Sequence, residues 1–124
     1  MALGGIVSAA GLSLPFAETA IALSVMVFGF TIASWIAPPV LAAMALVGVF
    51  ALFHGHAHAS EMPLNASALA YGIGFVVSTA VLHGLGIGLG LVIGNGDPVL
   101  QRRAVRICGV AIGLVGTGLM LGAI

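Results

Sequence analysis

Three of the four histidines lie close together at His54, His56 and His58, and Glu61 follows three positions later. On a helix each residue turns by about 100°, so His58 lies about 40° from His54 and Glu61 about 20° away on the other side. His54, His58 and Glu61 therefore share one face, while His56 points the opposite way unless the helix has frayed there. Imidazole suits zinc, copper, iron and nickel, and a carboxylate compensates the charge of the ion. The segment predicts the handling of a divalent metal ion or of protons.

His83 is a second candidate, because it lies deep inside a long apolar segment. Its predicted helical face also carries Gly72, Thr79, Gly86 and Gly90, which are small or weakly polar. We therefore expect His83 to face the interior of a helix bundle rather than lipid. Two roles stay open for it: a core histidine bonded to Thr79 or to a carbonyl, or a second station for a cation.

Glu18 is a third candidate, since it opens an otherwise apolar run just after Pro15. It is either a first-turn acid favoured by the helix dipole or a carboxylate that attracts cations. Asp97 lies in the Gly-Asn-Gly-Asp-Pro segment 94–98 and is interpreted as a turn residue.

The composition predicts the surroundings of these residues. Of 124 residues, 61% are hydrophobic and only 5% charged, and the mean hydropathy is +1.30. A soluble domain carries roughly a quarter charged residues, so a water-soluble globule is excluded, as are a disordered chain and a nucleic-acid binder. The lipid bilayer is the expected environment. Ionisable groups at membrane depth are costly and usually functional, which favours ion handling over histidines that merely lie in the membrane interface.

Long apolar runs without strand-type alternation predict an all-α, multi-pass transmembrane helix bundle in a single domain. We predict four full spans and one partial N-terminal helix, approximately at residues 1–12 (partial), 17–37, 40–60, 66–93 and 105–124. Prolines 38, 39 and 63 end the helices that precede them. The single cysteine, Cys108, excludes a disulfide within the chain.

The arginines predict the orientation of the spans. Arg102, Arg103 and Arg106 flank the connection between the last two spans, which the positive-inside rule assigns to the cytoplasm. Counting back along the chain, Glu18 and the segment 54–61 then fall together on the outer side. Asp97 and the arginines fall on the other side.

Glycines spaced four residues apart predict close helix packing. The pairs are Gly84–Gly88, Gly86–Gly90, Gly109–Gly113 and Gly118–Gly122. They suit packing within the chain or a homo-oligomer built on Gly-rich faces.

Enzyme signatures are missing from the sequence. It contains no zinc-protease H-E-x-x-H motif, no Walker loop and no G-x-S-x-G nucleophile elbow. We therefore expect a protein that is not an enzyme.

Residues 53–61, Phe-His-Gly-His-Ala-His-Ala-Ser-Glu, resemble the F-H-G-H-A-H-G-x-E signature of the HupE/UreJ family. Residues 18–25 resemble the E-x-x-I-A-L-S-V stretch of that family, and the segments 68–75, 80–83 and 86–90 continue the likeness. The resemblance implies a bacterial inner-membrane permease for nickel or cobalt that serves hydrogenase or urease. It implies that His58, Glu61 and Glu18 carry the metal with support from His54, His56 and His83. Ni²⁺ or Co²⁺ is then the transported ion, and no cofactor is bound permanently.

One part of the family pattern is missing. The family has an H-P-x-x-G-x-D-H motif in its first span, whereas the first histidine here is His54. Residues 1–12 resemble the end of the family's second span, so we expect an N-terminally shortened chain. The leading prediction is a secondary permease. The alternatives are a non-transporting accessory or metal-binding protein for urease or hydrogenase maturation, and a fragment that serves only packing or assembly.

Overall fold

The computed structural model describes residues 1–63 and 65–122, and all regular secondary structure in these residues is α-helical. The five helices are α1 (Ala2–Ala9), α2 (Ala17–Ala33), α3 (Val40–Ser60), α4 (Ala68–Gly94) and α5 (Pro98–Met120). Helices α3, α4 and α5 are long and apolar enough to cross a membrane, and α2 is a shorter apolar helix. The prediction of an all-α, multi-pass bundle is confirmed.

Helix α1 ends earlier than the predicted residue 12, because Gly11 adopts a left-handed φ of 76°. The amide of Gly11 donates to the carbonyl of Ser8, and the amide of Leu12 donates to that of Val7. This pattern is a Schellman motif, the usual way in which a glycine ends a helix. Residues 10–16 then form a non-helical linker to α2.

Two further helix ends differ from the prediction. Helix α2 ends at Ala33 rather than at residue 37, since Trp35 takes a left-handed φ of 57°. Helix α5 begins at Pro98 rather than at residue 105. The Asp97 carboxylate caps it by accepting hydrogen bonds from the amides of Val99 and Leu100, each at 2.9 Å. Asp97 is therefore an N-cap, and the arginines lie inside the helix.

Helices α2 and α5 pack backbone against backbone. Gly29 of α2 and Gly109, Gly113 and Gly116 of α5 are all buried. A Cβ placed on Gly116 would lie only 2.6 Å from the Cα of Met26, closer than real side chains approach. The predicted pair Gly109–Gly113 therefore packs within the chain.

Helix α3 contacts both α1 and α2. A Cβ on Gly4 of α1 would lie 2.8 Å from the backbone nitrogen of His56, so α1 and α3 also cross at a glycine. The rings of Phe28 and Phe50 join α2 to α3 edge to face, with centroids 5.4 Å apart. These crossings bring the end of α3 next to the linker that precedes α2.

Helix α4 is different, because within the described part of the chain none of its 27 residues is buried. It is fastened to α3 near its own start. There the Tyr71 hydroxyl donates to the His58 carbonyl at 2.8 Å, and the Phe75 ring lies 5.2 Å from the His58 ring. A Cβ on Gly84 or Gly88 would meet no described atom within 4 Å. The glycine pairs of α4 are thus open, unlike the pair Gly109–Gly113 of α5. Gly122 of the predicted pair Gly118–Gly122 also meets no described atom within 4 Å.

Candidate metal site

Five of the six predicted metal residues, all except His83 on α4, lie at one end of the molecule. The His56 side chain on α3 contacts Leu12 and Leu14 of the linker that leads into α2, and Glu18 lies in the first turn of α2. The start of α2 and the end of α3 therefore meet.

The arginines lie at the opposite end of α2. There the Arg106 side chain donates from Nε to the Ala33 carbonyl at 3.1 Å. The Arg102 guanidinium lies 6.0 Å from the centre of the Trp35 ring, within the range of a cation–π interaction. The predicted separation of the His/Glu group from the arginines is confirmed.

His54 is half-buried on α3, one turn after Phe50. Its Nδ1 lies 3.3 Å from the Phe50 carbonyl oxygen. Because a carbonyl only accepts, a hydrogen bond there requires the proton on Nδ1, which leaves a lone pair on Nε2 of the neutral ring. That tautomer is the one in which Nε2 can bind a metal ion.

His58 and Glu61 are exposed at the end of α3. His58 lies in the last turn of the helix, and Glu61 is its C-cap residue. The contacts of Tyr71 and Phe75 with His58 bring the start of α4 against this histidine. The imidazole and the carboxylate both remain open to an incoming ion.

His56 occupies the other side of α3, as the helical spacing predicts. Its side chain is buried, with 7% exposure. Nε2 lies 2.9 Å from the Leu12 carbonyl oxygen and 3.2 Å from the Leu14 amide nitrogen. Nδ1 is buried without a hydrogen-bond partner in the described residues. His56 is therefore bound to the linker and is turned away from the exposed face of His58.

For His83 the expectation of a bundle-facing side chain is wrong within the described chain, because this residue is exposed. Its Nδ1 lies 2.8 Å from the Thr79 carbonyl oxygen, which is the carbonyl bond predicted as one alternative. Helical spacing shows which residues share a face but not whether another helix covers that face. As in His54, the bond to a carbonyl leaves the Nε2 lone pair free.

Glu18 is exposed. It borders a groove of about 430 Å³ together with Thr19 of α2 and Leu119 and Met120 at the end of α5. A first-turn acid is stabilised by the helix dipole, and an exposed carboxylate also attracts cations, so both predicted roles suit this position.

Within residues 1–63 and 65–122, no three histidine, cysteine or acidic side chains come close enough to share one metal ion. The structure brings Glu18 and the predicted residues of α3 to one end without joining them around a single point, and His83 lies farther along α4. Sequence reasoning missed the support that Tyr71 and Phe75 give to His58. It also missed the bonds of His56 to the linker, because these partners lie 42 and 44 residues away. An aromatic pair one turn apart at the start of α4 was the available signal.

Apolar helices of spanning length, packed through glycines, define a multi-pass helical membrane protein. The family described as HupE / UreJ protein matches residues 1–119. Protein HupE of Rhizobium leguminosarum bv. viciae is 42% identical over 123 residues, which cover 98% of this chain and 62% of that relative. The chain belongs to the HupE/UreJ family, as the histidine motif predicts.

The chain spans 62% of the length of this curated relative. No solved structure matches the chain.

Proposed function

We propose that this protein takes part in moving nickel or cobalt ions across the bacterial inner membrane. The ion enters at the end of the molecule that carries Glu18, His54, His58 and Glu61, which we call the His/Glu end. One observation carries the proposal. Glu18, His58 and Glu61 are exposed at the end where α2 starts and α3 finishes, and His54 lies one turn before His58 on the same face of α3. Carboxylates and neutral imidazoles are ligands that a first-row divalent ion accepts.

The hydrogen-bond partners of two histidine rings support this chemistry. A metal-binding imidazole must offer a lone pair, and its other nitrogen usually donates to a carbonyl or a carboxylate. His54 and His83 have this arrangement, with Nδ1 near the carbonyls of Phe50 and Thr79. In that tautomer their Nε2 atoms can bind an ion that passes from one ligand to the next.

His83 supports a pathway rather than a surface site alone. Tyr71 contacts the His58 carbonyl, and His83 follows it by twelve residues on α4. At 1.5 Å per residue the two positions are separated by about 18 Å along the helix. That length is more than half of the roughly 30 Å hydrocarbon core. An imidazole at this depth suits a second station for the cation.

Family membership supports the biological role. We propose that the transported metal supplies hydrogenase or urease, as the resemblance to the HupE/UreJ family implies.

The test is metal entry into lipid vesicles that contain the purified full chain and a trapped metal-sensitive fluorophore. We expect Ni²⁺ or Co²⁺ to enter, and we expect His58→Ala and Glu61→Gln each to lower the rate at least about tenfold, the lower range for losing a group that tunes a metal site. Ser60→Ala is the matched control, because Ser60 is the exposed neighbour of Glu61 and its hydroxyl donates only to the Ala57 carbonyl.

Two outcomes would contradict the proposal, one for transport itself and one for the site of entry. Binding of the ion without entry would favour the alternative of a non-transporting accessory protein. Entry at the same rate in wild type, His58→Ala and Glu61→Gln would show that the His/Glu end is not part of the pathway.

A further inference from the structure

We propose that His56 is a positioning residue that fastens the α1–α2 linker to α3 and thereby sets the spacing between Glu18 and the His58/Glu61 pair. For its transport readout this inference rests on the proposed function. The fastening itself does not, because it concerns contacts within the chain.

The His56 ring uses the other nitrogen for its hydrogen bonds than the rings of His54 and His83 do. In the latter two, the bonded atom is Nδ1, which lies near a carbonyl of the same helix one turn earlier. In His56, Nε2 is the bonded atom, and its partners are Leu12 and Leu14 in another segment. The ring is also buried, with 7% exposure. Nε2, the nitrogen that would bind an ion in His54 and His83, therefore joins the linker to α3 in His56.

The linker needs such a partner because its backbone leaves the helical pattern. Gly11 and Phe16 both have left-handed φ values, of 76° and 61°, and the Leu12 carbonyl and the Leu14 amide lie between them, outside both helices. Leu14 is half-buried, and a backbone amide that is removed from water needs a hydrogen-bond partner. Protonated Nε2 donates to the Leu12 carbonyl, and unprotonated Nε2 accepts from the Leu14 amide. Either tautomer therefore fastens the linker to α3.

This fastening fixes the relative position of two candidate ligand groups. Glu18 follows Leu14 by four residues, and His58 follows His56 by two. Because α2 and α3 are separate helices, the distance between the carboxylate and the imidazole depends on how the linker is attached to α3. The close crossing of Gly4 of α1 with the backbone of His56 keeps α3 in register at the same place.

The test compares His56→Gln with His56→Ala in the full chain. A glutamine amide can donate to the Leu12 carbonyl or accept from the Leu14 amide, but it lacks an equivalent of imidazole Nδ1. Alanine can do neither. Should His56→Ala fail to fold, His56→Asn replaces it, because its shorter amide does not reach the linker.

The first readout is hydrogen exchange of the amides of residues 11–14 and 16. We expect about fivefold faster exchange in His56→Ala, the effect of one hydrogen bond of about 1 kcal/mol, and near wild-type exchange in His56→Gln. His54→Gln is the matched control for exchange, since the His54 ring bonds only to its own helix. Unchanged linker exchange in both His56→Ala and His56→Asn would overturn the fastening.

The second readout is metal entry into vesicles. We expect His56→Ala to raise the KM about tenfold, in the range for a group that orients metal ligands, and His56→Gln to restore it. Restored linker exchange with entry still lost in His56→Gln would overturn the positioning role, because the imidazole itself would then be required. If wild type moves no metal, the proposed function fails while the exchange readout still decides the fastening.

Discussion

The α2–α5 pair and helix α4 are both rich in glycine and use it differently. In the pair, glycines such as Gly29, Gly109 and Gly116 bring two backbones into direct contact. In α4, glycines such as Gly84 have no described atom within 4 Å of where a Cβ would lie. The same residue type and spacing therefore predict close packing in both regions, but among the described residues only the α2–α5 region finds its partner.

Because of this difference, one part of the candidate site lies on closely packed helices and the other part lies on a helix with few contacts. The start of α2 and the end of α3 belong to helices that are held by glycine crossings and by the His56 bonds to the linker. Glu18, His58 and Glu61 therefore lie on closely packed helices. His83 stands on α4, which is fastened to α3 near its start through Tyr71 and Phe75. The position of His83 relative to the other residues thus depends on those few contacts.

The largest expected effect is that a glycine-to-alanine substitution changes the free energy of unfolding in opposite directions in the two regions. Gly116→Ala forces a methyl group against the backbone of Val25 and Met26 and should lower the free energy of unfolding by about 2 kcal/mol. Gly84→Ala fills open space and should raise it by up to about 1 kcal/mol, because alanine favours a helix more than glycine does. Thermal unfolding of the two variants in the same detergent measures both changes.

A loss of stability in Gly84→Ala as large as that in Gly116→Ala would mean that α4 packs as tightly as the pair. The contrast between the two regions would then be wrong.

A smaller effect is expected from Tyr71→Phe, which keeps the ring and removes the hydroxyl that donates to the His58 carbonyl. One such hydrogen bond contributes about 1 kcal/mol. Amides at the start of α4 should therefore exchange about fivefold faster, while those of α2 and α5 stay at wild-type rates. Equal acceleration throughout the chain would show that this bond supports the whole fold rather than the attachment of α4.

The sequence predicted the fold class, the helices and the end at which the candidate ligands lie. Apolar runs and proline stops define the helices, and arginine placement separates the two ends. The start of α5 was missed although the signal was present, since Asp97 followed by Pro98 is a typical helix N-terminus. The early end of α2 had no such signal, because the left-handed residue there is Trp35 and not a glycine.

The site was predictable where it depends on a single helix and not where it depends on contacts between segments. Helical spacing placed His56 opposite His58, and it identified the carbonyl bond of His83 as one alternative. It could not show that the linker covers His56 or that within the described residues α4 leaves His83 exposed. Both outcomes depend on tertiary packing, which periodicity does not encode.

The most direct test of the central claim is a titration of the purified full chain with Co²⁺, followed by visible absorption, and with Ni²⁺, followed by calorimetry. If the His/Glu end binds a divalent ion, wild type and Ser60→Ala should give the same saturable curve. The double variant His58→Ala/Glu61→Gln should bind at least about tenfold more weakly. Identical curves for wild type and the double variant would contradict the claim that these side chains hold the ion.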